Sequence, residues 1–359
     1  MARSKFLPDN FTLALVATVA VASLLPAQGV AARGFEGLTT AAIALLFFLH
    51  GARLSREAVI AGATHWRLHI VVVLATFVLF PLLGLALRPV LLPLVTPELY
   101  QGVMYLCVLP ATVQSAIAFT AMARGNIPAA VCSASASTML GVFVTPVLVN
   151  LLVVEHGGTG GPSLGAIGRI MLQLMLPFVV GHLLRRWIGE WVKQRAKTLK
   201  LVDQGSILLV VYTAFSAAVV EGLWRQIPLP ALAGLVLVCC VILAGSLGGT
   251  MLAARRLGFS KEDEITIVFC GSKKSLASGV PMAKVLFAAP AVGAIVLPLM
   301  LFHQIQLMVC AVLAQRYARR ADVAPAVTAT PAERAAAPEA AAAAVSPHEE
   351  HPALAPERR

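Results

Sequence analysis

Apolar runs of about twenty residues recur from residue 11 to residue 314, and a helix of that length crosses the roughly 30 Å hydrocarbon core of a bilayer. The runs fall at 11–28, 35–53, 67–87, 99–122, 127–153, 164–187, 205–223, 228–254, 265–287 and 290–314, ten in all. They imply an all-α integral membrane protein. The composition agrees, with 58% hydrophobic and 13% charged residues over 359 positions, outside the range of a soluble domain.

This setting decides what the other features mean. A formal charge of +11 would point to nucleic acid in a soluble protein, but here no nucleic-acid partner is expected and the position of each charge along the chain matters more. Arg3, Lys5, Arg53, Arg56, Arg67 and Arg124 flank one set of connections, and Arg185, Arg186, Lys193, Arg195, Lys197 and Lys200 crowd the connection between runs 6 and 7. Arg255, Arg256, Lys261, Arg316, Arg319 and Arg320 extend the same side, whereas the opposite connections hold Arg33, Arg88 and Arg225. The bias predicts a multi-pass protein of the cytoplasmic (inner) membrane with both termini cytoplasmic. A rival reading treats Arg3, Lys5 and the first run as a cleavable signal peptide, which would leave nine spans and an outer N-terminus.

The six cysteines all lie within the runs and read as small apolar packing residues, not as a disulfide framework. There is no zinc-ligand spacing, no nucleophile elbow and no paired catalytic carboxylate, so an enzyme is not expected. The glycine-rich stretch at 155–163 lacks a P-loop lysine and reads as a connector, and the Ala/Pro/Glu/Arg-rich tail reads as disordered. The resulting domains are a cytoplasmic N-terminus (1–10), a first group of five spans (11–163), a second group (164–314) and a cytoplasmic tail (315–359).

Five is odd, so the second group must enter the membrane upside down relative to the first, the inverted repeat of many secondary transporters. Their sites lie where corresponding helices are interrupted. Run 4 carries Pro110 near its middle, followed by Thr112, Gln114 and Ser115; proline removes a backbone donor and clashes with the preceding turn. Its counterpart, run 9, carries Gly271, Ser272, Lys273, Lys274, Ser275 and Ser278 at similar depth. Lys273 follows Glu264 by nine residues, about 13 Å of helical rise, which puts both lysines near the bilayer centre.

A lysine facing lipid there costs about 2.5–3.5 kcal/mol on insertion scales, so both should face protein or an aqueous cavity. An interhelical ion pair that merely locks two helices is the plainer alternative, but acids are scarce in the runs, with Glu221 near an outer end. The lysines must then be hydrogen-bonded while charged, deprotonated, or matched by something other than protein. Ser133 and Ser137 share one face of run 5, with Ser135 and Thr138 on another, and His303 and Gln306 share a face of run 10 with Gln304 beside them. The candidate binding residues are Gln114, Ser115, Ser133, Ser137, Thr138, Ser272, Lys273, Lys274, Ser275, His303 and Gln306.

At these residues the chain resembles the bile acid:sodium symporter family, in particular its bacterial branch with paired lysines. The resemblance spans about residues 8–316 and rests on "LPATVQSAIAFTAMARGN" with "SASASTMLGVFVTP" and on "FCGSKKSLASGVPMAKVLF", supported by "FLHGARLSREA" and "VVYTAFSAAVVEGLW". It implies ten transmembrane helices in two inverted five-helix repeats, a panel domain from spans 1, 2, 6 and 7, and a core domain from spans 3–5 and 8–10. It also implies discontinuous crossing helices 4 and 9 with sodium near the crossing, and organic anions, including steroid conjugates, as substrates.

Where the family's symporters carry Glu-x-Gly-x-Gln-Asn-Ser, this chain has Phe269, Cys270, Gly271, Ser272, Lys273, Lys274 and Ser275. The carboxylate is replaced by Phe269, and the family's Ser-Asn pair in span 4 has only Gln114 and Ser115 nearby. The expectation is therefore a secondary transporter of a small organic anion with little or no sodium dependence and no other cofactor, its oligomeric state left open. One ammonium stands in for sodium while the other meets the anion, in either order, or both line the anion site. The alternative is a non-transporting membrane sensor or regulator on a transporter fold.

Overall fold

The computed structural model describes residues 10–53, 65–153 and 164–319. The glycine-rich connector, Arg56, the first nine residues and the tail from 320 lie outside the described residues. Among those described, every regular element is helical.

Apart from two four-residue turns, Arg88–Leu91 and Leu223–Gln226, these are in chain order α1 (Asn10–Leu24), α2 (Gly29–Arg53), α3 (Trp66–Ala86), α4a (Pro97–Val108), α4b (Val113–Met122), α5 (Ile127–Leu152) and α6 (Leu164–Gln194). There follow α7 (Ala196–Val220), α8 (Leu229–Arg256), α9a (Lys261–Gly271), α9b (Leu276–Leu286) and α10 (Ala289–Ala318). Six of them, α2, α3, α5, α7, α8 and α10, are long and apolar enough to cross a bilayer, and α4a with α4b, bent by 62°, makes a seventh if counted as one span. Large apolar side chains such as Leu45, Leu82, Leu151, Leu183, Leu237 and Met308 point outward, as expected of surfaces that face hydrocarbon instead of water.

Capping places several helix starts. Asn126 accepts from the Ala129 N–H at the start of α5 (3.1 Å), and Ser260 accepts from the Asp263 N–H at the start of α9a (3.2 Å). Glu262, Asp263 and Glu264 fill the first turn of α9a, where negative charge complements the helix dipole. Glu264 also accepts from Lys261 Nζ (2.7 Å), from the Arg255 guanidinium (3.3 Å) and from the Tyr317 hydroxyl (3.1 Å), joining the ends of α8, α9a and α10.

The helices reach further than the apolar runs. α2 begins at Gly29, ahead of the run at 35–53, and the basic stretch from Arg185 to Lys200 is not a loop: α6 continues to Gln194 and α7 starts at Ala196, leaving Arg195 between them. Charge ends hydropathy but not helix, because Lys, Arg, Gln and Leu are good helix formers and no proline intervenes. The packing is paired, with α2 lying along α6, α1 along α7, and α3 and α8 each flanking α9a.

Candidate functional site

The two interruptions meet. Pro110 lacks a backbone donor, and Leu109 before it is extended (φ −75°, ψ 155°), which ends α4a. In the other broken helix, α9a stops at Gly271 and α9b restarts after Ser275, whose hydroxyl accepts from the Ser278 N–H (3.1 Å). At the crossing the Ser275 N–H donates to the Pro110 carbonyl (3.0 Å), and the Thr112 hydroxyl donates to the Lys274 carbonyl (2.7 Å).

The neighbouring helices satisfy what the breaks leave open. Ser137 of α5 accepts from the Ala111 N–H (3.0 Å), and Thr145 donates to the Val108 carbonyl (2.9 Å). Gln306 of α10 treats the second break alike: Oε1 accepts from the Lys274 N–H and Nε2 donates to the Lys274 carbonyl, both at 3.0 Å. A backbone group left unpaired in this buried place would cost about 1–3 kcal/mol. Ser137 and Gln306 thus hold the breaks open.

The adjacent lysines have different surroundings. Lys274 Nζ donates to the carbonyls of Thr76 (2.7 Å), Cys107 (2.9 Å) and Leu109 (2.7 Å), with the Phe80 ring centroid 4.1 Å away. Cys107 and Leu109 lie at the C-terminal end of α4a, where carbonyls lack helical partners and the dipole favours a cation. Thr76 lies in the π-helical stretch Ala75–Leu79 of α3, a register shift that leaves a carbonyl for an outside donor. The ammonium therefore fills an oxygen cage. Lys273 Nζ instead sits 3.7 Å from the Phe119 ring centroid and 5.9 Å from that of Phe269, with one long hydrogen bond to the Ser115 carbonyl (3.5 Å). Both lysines are fully buried.

Beside the crossing lies a cavity of about 480 Å³, within the usual range of ligand pockets. Its core-side wall comprises Thr112, Val113, Gln114 and Ser115 at the start of α4b, Ser275 to Ser278 at the start of α9b, Ser135 and Thr138 of α5, and His303 of α10. Facing them are Phe11 of α1, His50 and Arg53 of α2, Phe178 of α6, and Lys200, Asp203, Gln204 and Ile207 of α7.

Of the residues singled out from sequence, Gln114, Ser115, Thr138, Ser275 and His303 line this cavity. The others have partners elsewhere: Ser133 bonds His69 Nδ1 (2.7 Å), Ser137 and Gln306 hold the breaks, and Ser272 donates to the Val268 carbonyl (2.5 Å). Neither Lys273 nor Lys274 reaches the cavity wall. Ser135, Arg53, Lys200 and Asp203 also line the cavity but were not among the sequence candidates. For Lys200 and Asp203 the missed signal was the start of α7 at Ala196, ahead of its apolar run at 205–223.

Lys274 thus occupies the carbonyl oxygens at the crossing, while Phe119 and Phe269 give Lys273 ring faces, a setting in which an ammonium needs no carboxylate.

The model of the SBF-like CPA transporter family matches residues 9–319. An uncharacterized protein of Pseudomonas aeruginosa, PA2026, is 69% identical over 322 residues, covering 90% of this chain and 96% of that protein. The putative symporter YfeH of Escherichia coli K12 is 60% identical over 317 residues (88% and 94%). The sodium/bile acid cotransporter 7 of Mus musculus is 28% identical over 313 residues (84% and 90%).

Proposed function

The chain belongs to the SBF-like CPA transporter family, a family of transporters and not of enzymes, and on that premise we propose that it is a secondary active transporter of a small organic anion. The observation that carries this is the pair of half-helices, α4b and α9b, whose N-terminal turns both border one cavity. The first N–H groups of a helix have no intrahelical partner and its dipole is positive there, so two such ends at one cavity favour an anion. The Ser115 hydroxyl, buried and without a hydrogen-bond partner among the described residues, adds a donor at the same wall. A bile-acid-like carboxylate suits the remainder of the lining, where Val113, Val131, Met139, Phe178 and Ile207 supply apolar surface.

The transport cycle is alternating access between a panel of α1, α2, α6 and α7 and a core of α3–α5 and α8–α10, in two inverted repeats of five. Supporting this are the paired packing of α2 with α6 and α1 with α7, and the matching service of Ser137 and Gln306 to the two breaks. The cavity reaches exposed Lys200 and half-buried Arg53. Glu36, 17 residues and about 26 Å before Arg53 along α2, pairs with Lys284 of α9b (3.0 Å). That ion pair joins panel to core at the far end, as in a state open at one end and closed at the other.

The open end carries the excess of Lys and Arg, so it faces the cytoplasm of the inner membrane, as do both termini. A cysteine replacing Arg195 should react in intact cells only with membrane-permeant maleimides. Labelling by an impermeant reagent would reverse the orientation.

Lys274 takes the place of a coupling sodium ion. Counterflow tests both parts, because a carrier preloaded with unlabelled substrate transiently concentrates labelled substrate without any coupling ion. Proteoliposomes loaded with cholate should accumulate labelled cholate above equilibrium, equally in sodium and in choline media. A sensor on the same fold would give equilibration only, and counterflow confined to sodium would restore a sodium site.

A further inference from the structure

With both lysines sealed at the crossing, the cavity's ionic groups lie on the panel wall. Arg53, at the end of α2, donates from Nη1 to Asp203 Oδ2 of α7. The geometry is incomplete for a structural tie. A guanidinium has five N–H donors and commonly grips a carboxylate through two parallel bonds, yet among the described residues one donor is used and Asp203 Oδ1, buried, has no partner. The arginine side chain stays 30% exposed while that of Asp203 is 11% exposed. His50, one turn before Arg53, is held by its Nδ1–H on the Leu46 carbonyl (2.7 Å) and borders the same wall, as does Lys200.

We propose that Arg53 is the residue that recognises the charge of the substrate, a carboxylate on an apolar body, and that Asp203 is its internal stand-in when the cavity is empty. The incoming carboxylate takes the unused guanidinium donors across from the α4b and α9b N-termini, so one anion touches panel and core together. Asp203 competes for the same cation. This rests on the transporter reading above and adds to it a specificity residue and the sign of its neighbour's effect.

Opposite signs in two variants provide the test. Binding of labelled cholate to the purified full-length chain is measured with the melting temperature of each variant. Arg53→Gln should weaken binding on the order of tenfold to a hundredfold, the loss of a charge-assisted hydrogen bond, with Arg53→Lys intermediate because a point charge cannot fork. Asp203→Asn should tighten binding by several-fold while leaving the fold intact. If the pair only ties α2 to α7, both variants lower the melting temperature together and Asp203→Asn does not bind more tightly, which overturns the proposal and leaves the transporter reading standing. Unchanged affinity in both variants does the same. Failure of the wild-type chain to bind cholate overturns both.

Discussion

Lys274→Met lowers the melting temperature of the purified protein by roughly 10 °C, the expected consequence of emptying an oxygen cage. Methionine keeps nearly the length of the side chain and removes its charge. The carbonyls of Thr76, Cys107 and Leu109 then face a thioether, and each buried acceptor left unpaired costs about 1–3 kcal/mol. Relief comes from no longer burying an ammonium, a term of several kcal/mol, so of the roughly 3–9 kcal/mol for three acceptors a net loss of about 3 kcal/mol remains. At about 2–4 °C per kcal/mol for a chain of some hundreds of residues, that gives the stated shift. Lys274→Ala opens the cage more fully, and sodium should then raise the melting temperature of that variant while leaving the wild type unchanged.

Lys273→Met should behave differently although it is the adjacent residue. It forfeits one hydrogen bond of 3.5 Å and the ammonium's contact with the Phe119 face, which the thioether's own contact with the ring, worth up to about 1.5 kcal/mol, largely offsets. A shift within about 1 kcal/mol of wild type is expected. Equal destabilisation by the two substitutions would contradict the unequal surroundings of the two ammoniums, and a Lys274→Met protein as stable as wild type would remove Lys274 from the cage altogether.

The burial of both lysines within protein was legible because an ammonium facing lipid there is costly, and the break in α4 because proline marks it. Which lysine takes the cage was not, since one residue is about 100° of rotation and the cage consists of backbone oxygens from α3 and α4a. The π-helical stretch that presents the Thr76 carbonyl, Ala75–Leu79, contains neither proline nor glycine to announce it. In α5 the small polar residues Ser133, Ser135, Ser137 and Thr138 occupy several faces, so only packing could separate Ser135 and Thr138, which border the cavity, from Ser133 and Ser137, which do not. Lys200 and Asp203 were hidden by a different cause. The apolar run of α7 begins only after these charges, whereas the helix begins at Ala196, and its charged first turns form one side of the cavity.

The other large effect expected is at the contact of α2 with α6, where two Phe-x-x-Gly segments, Phe48 to Gly51 and Phe178 to Gly181, face each other reciprocally. A Cβ at Gly51 would overlap the Phe178 carbonyl oxygen, and one at Gly181 the Phe48 carbonyl oxygen. Neither oxygen can swing aside, because each belongs to a helix backbone, so even alanine must push the helices apart. Gly181→Ala should cost about 1–3 kcal/mol, as overpacking generally does, and Gly181→Leu more. Separation would also displace Phe178 and the α2 turn that carries Arg53, so counterflow should weaken along with stability. The double alanine variant should cost less than the sum of its parts, since the first substitution already opens the gap that the second needs. Gly34, on the same α2 helix with open space around it, supplies the control: Gly34→Ala should be neutral or stabilising by up to about 1 kcal/mol through helix propensity. If Gly181→Ala melts as high as Gly34→Ala, the close approach of α2 and α6 is not what holds this wall of the cavity in place.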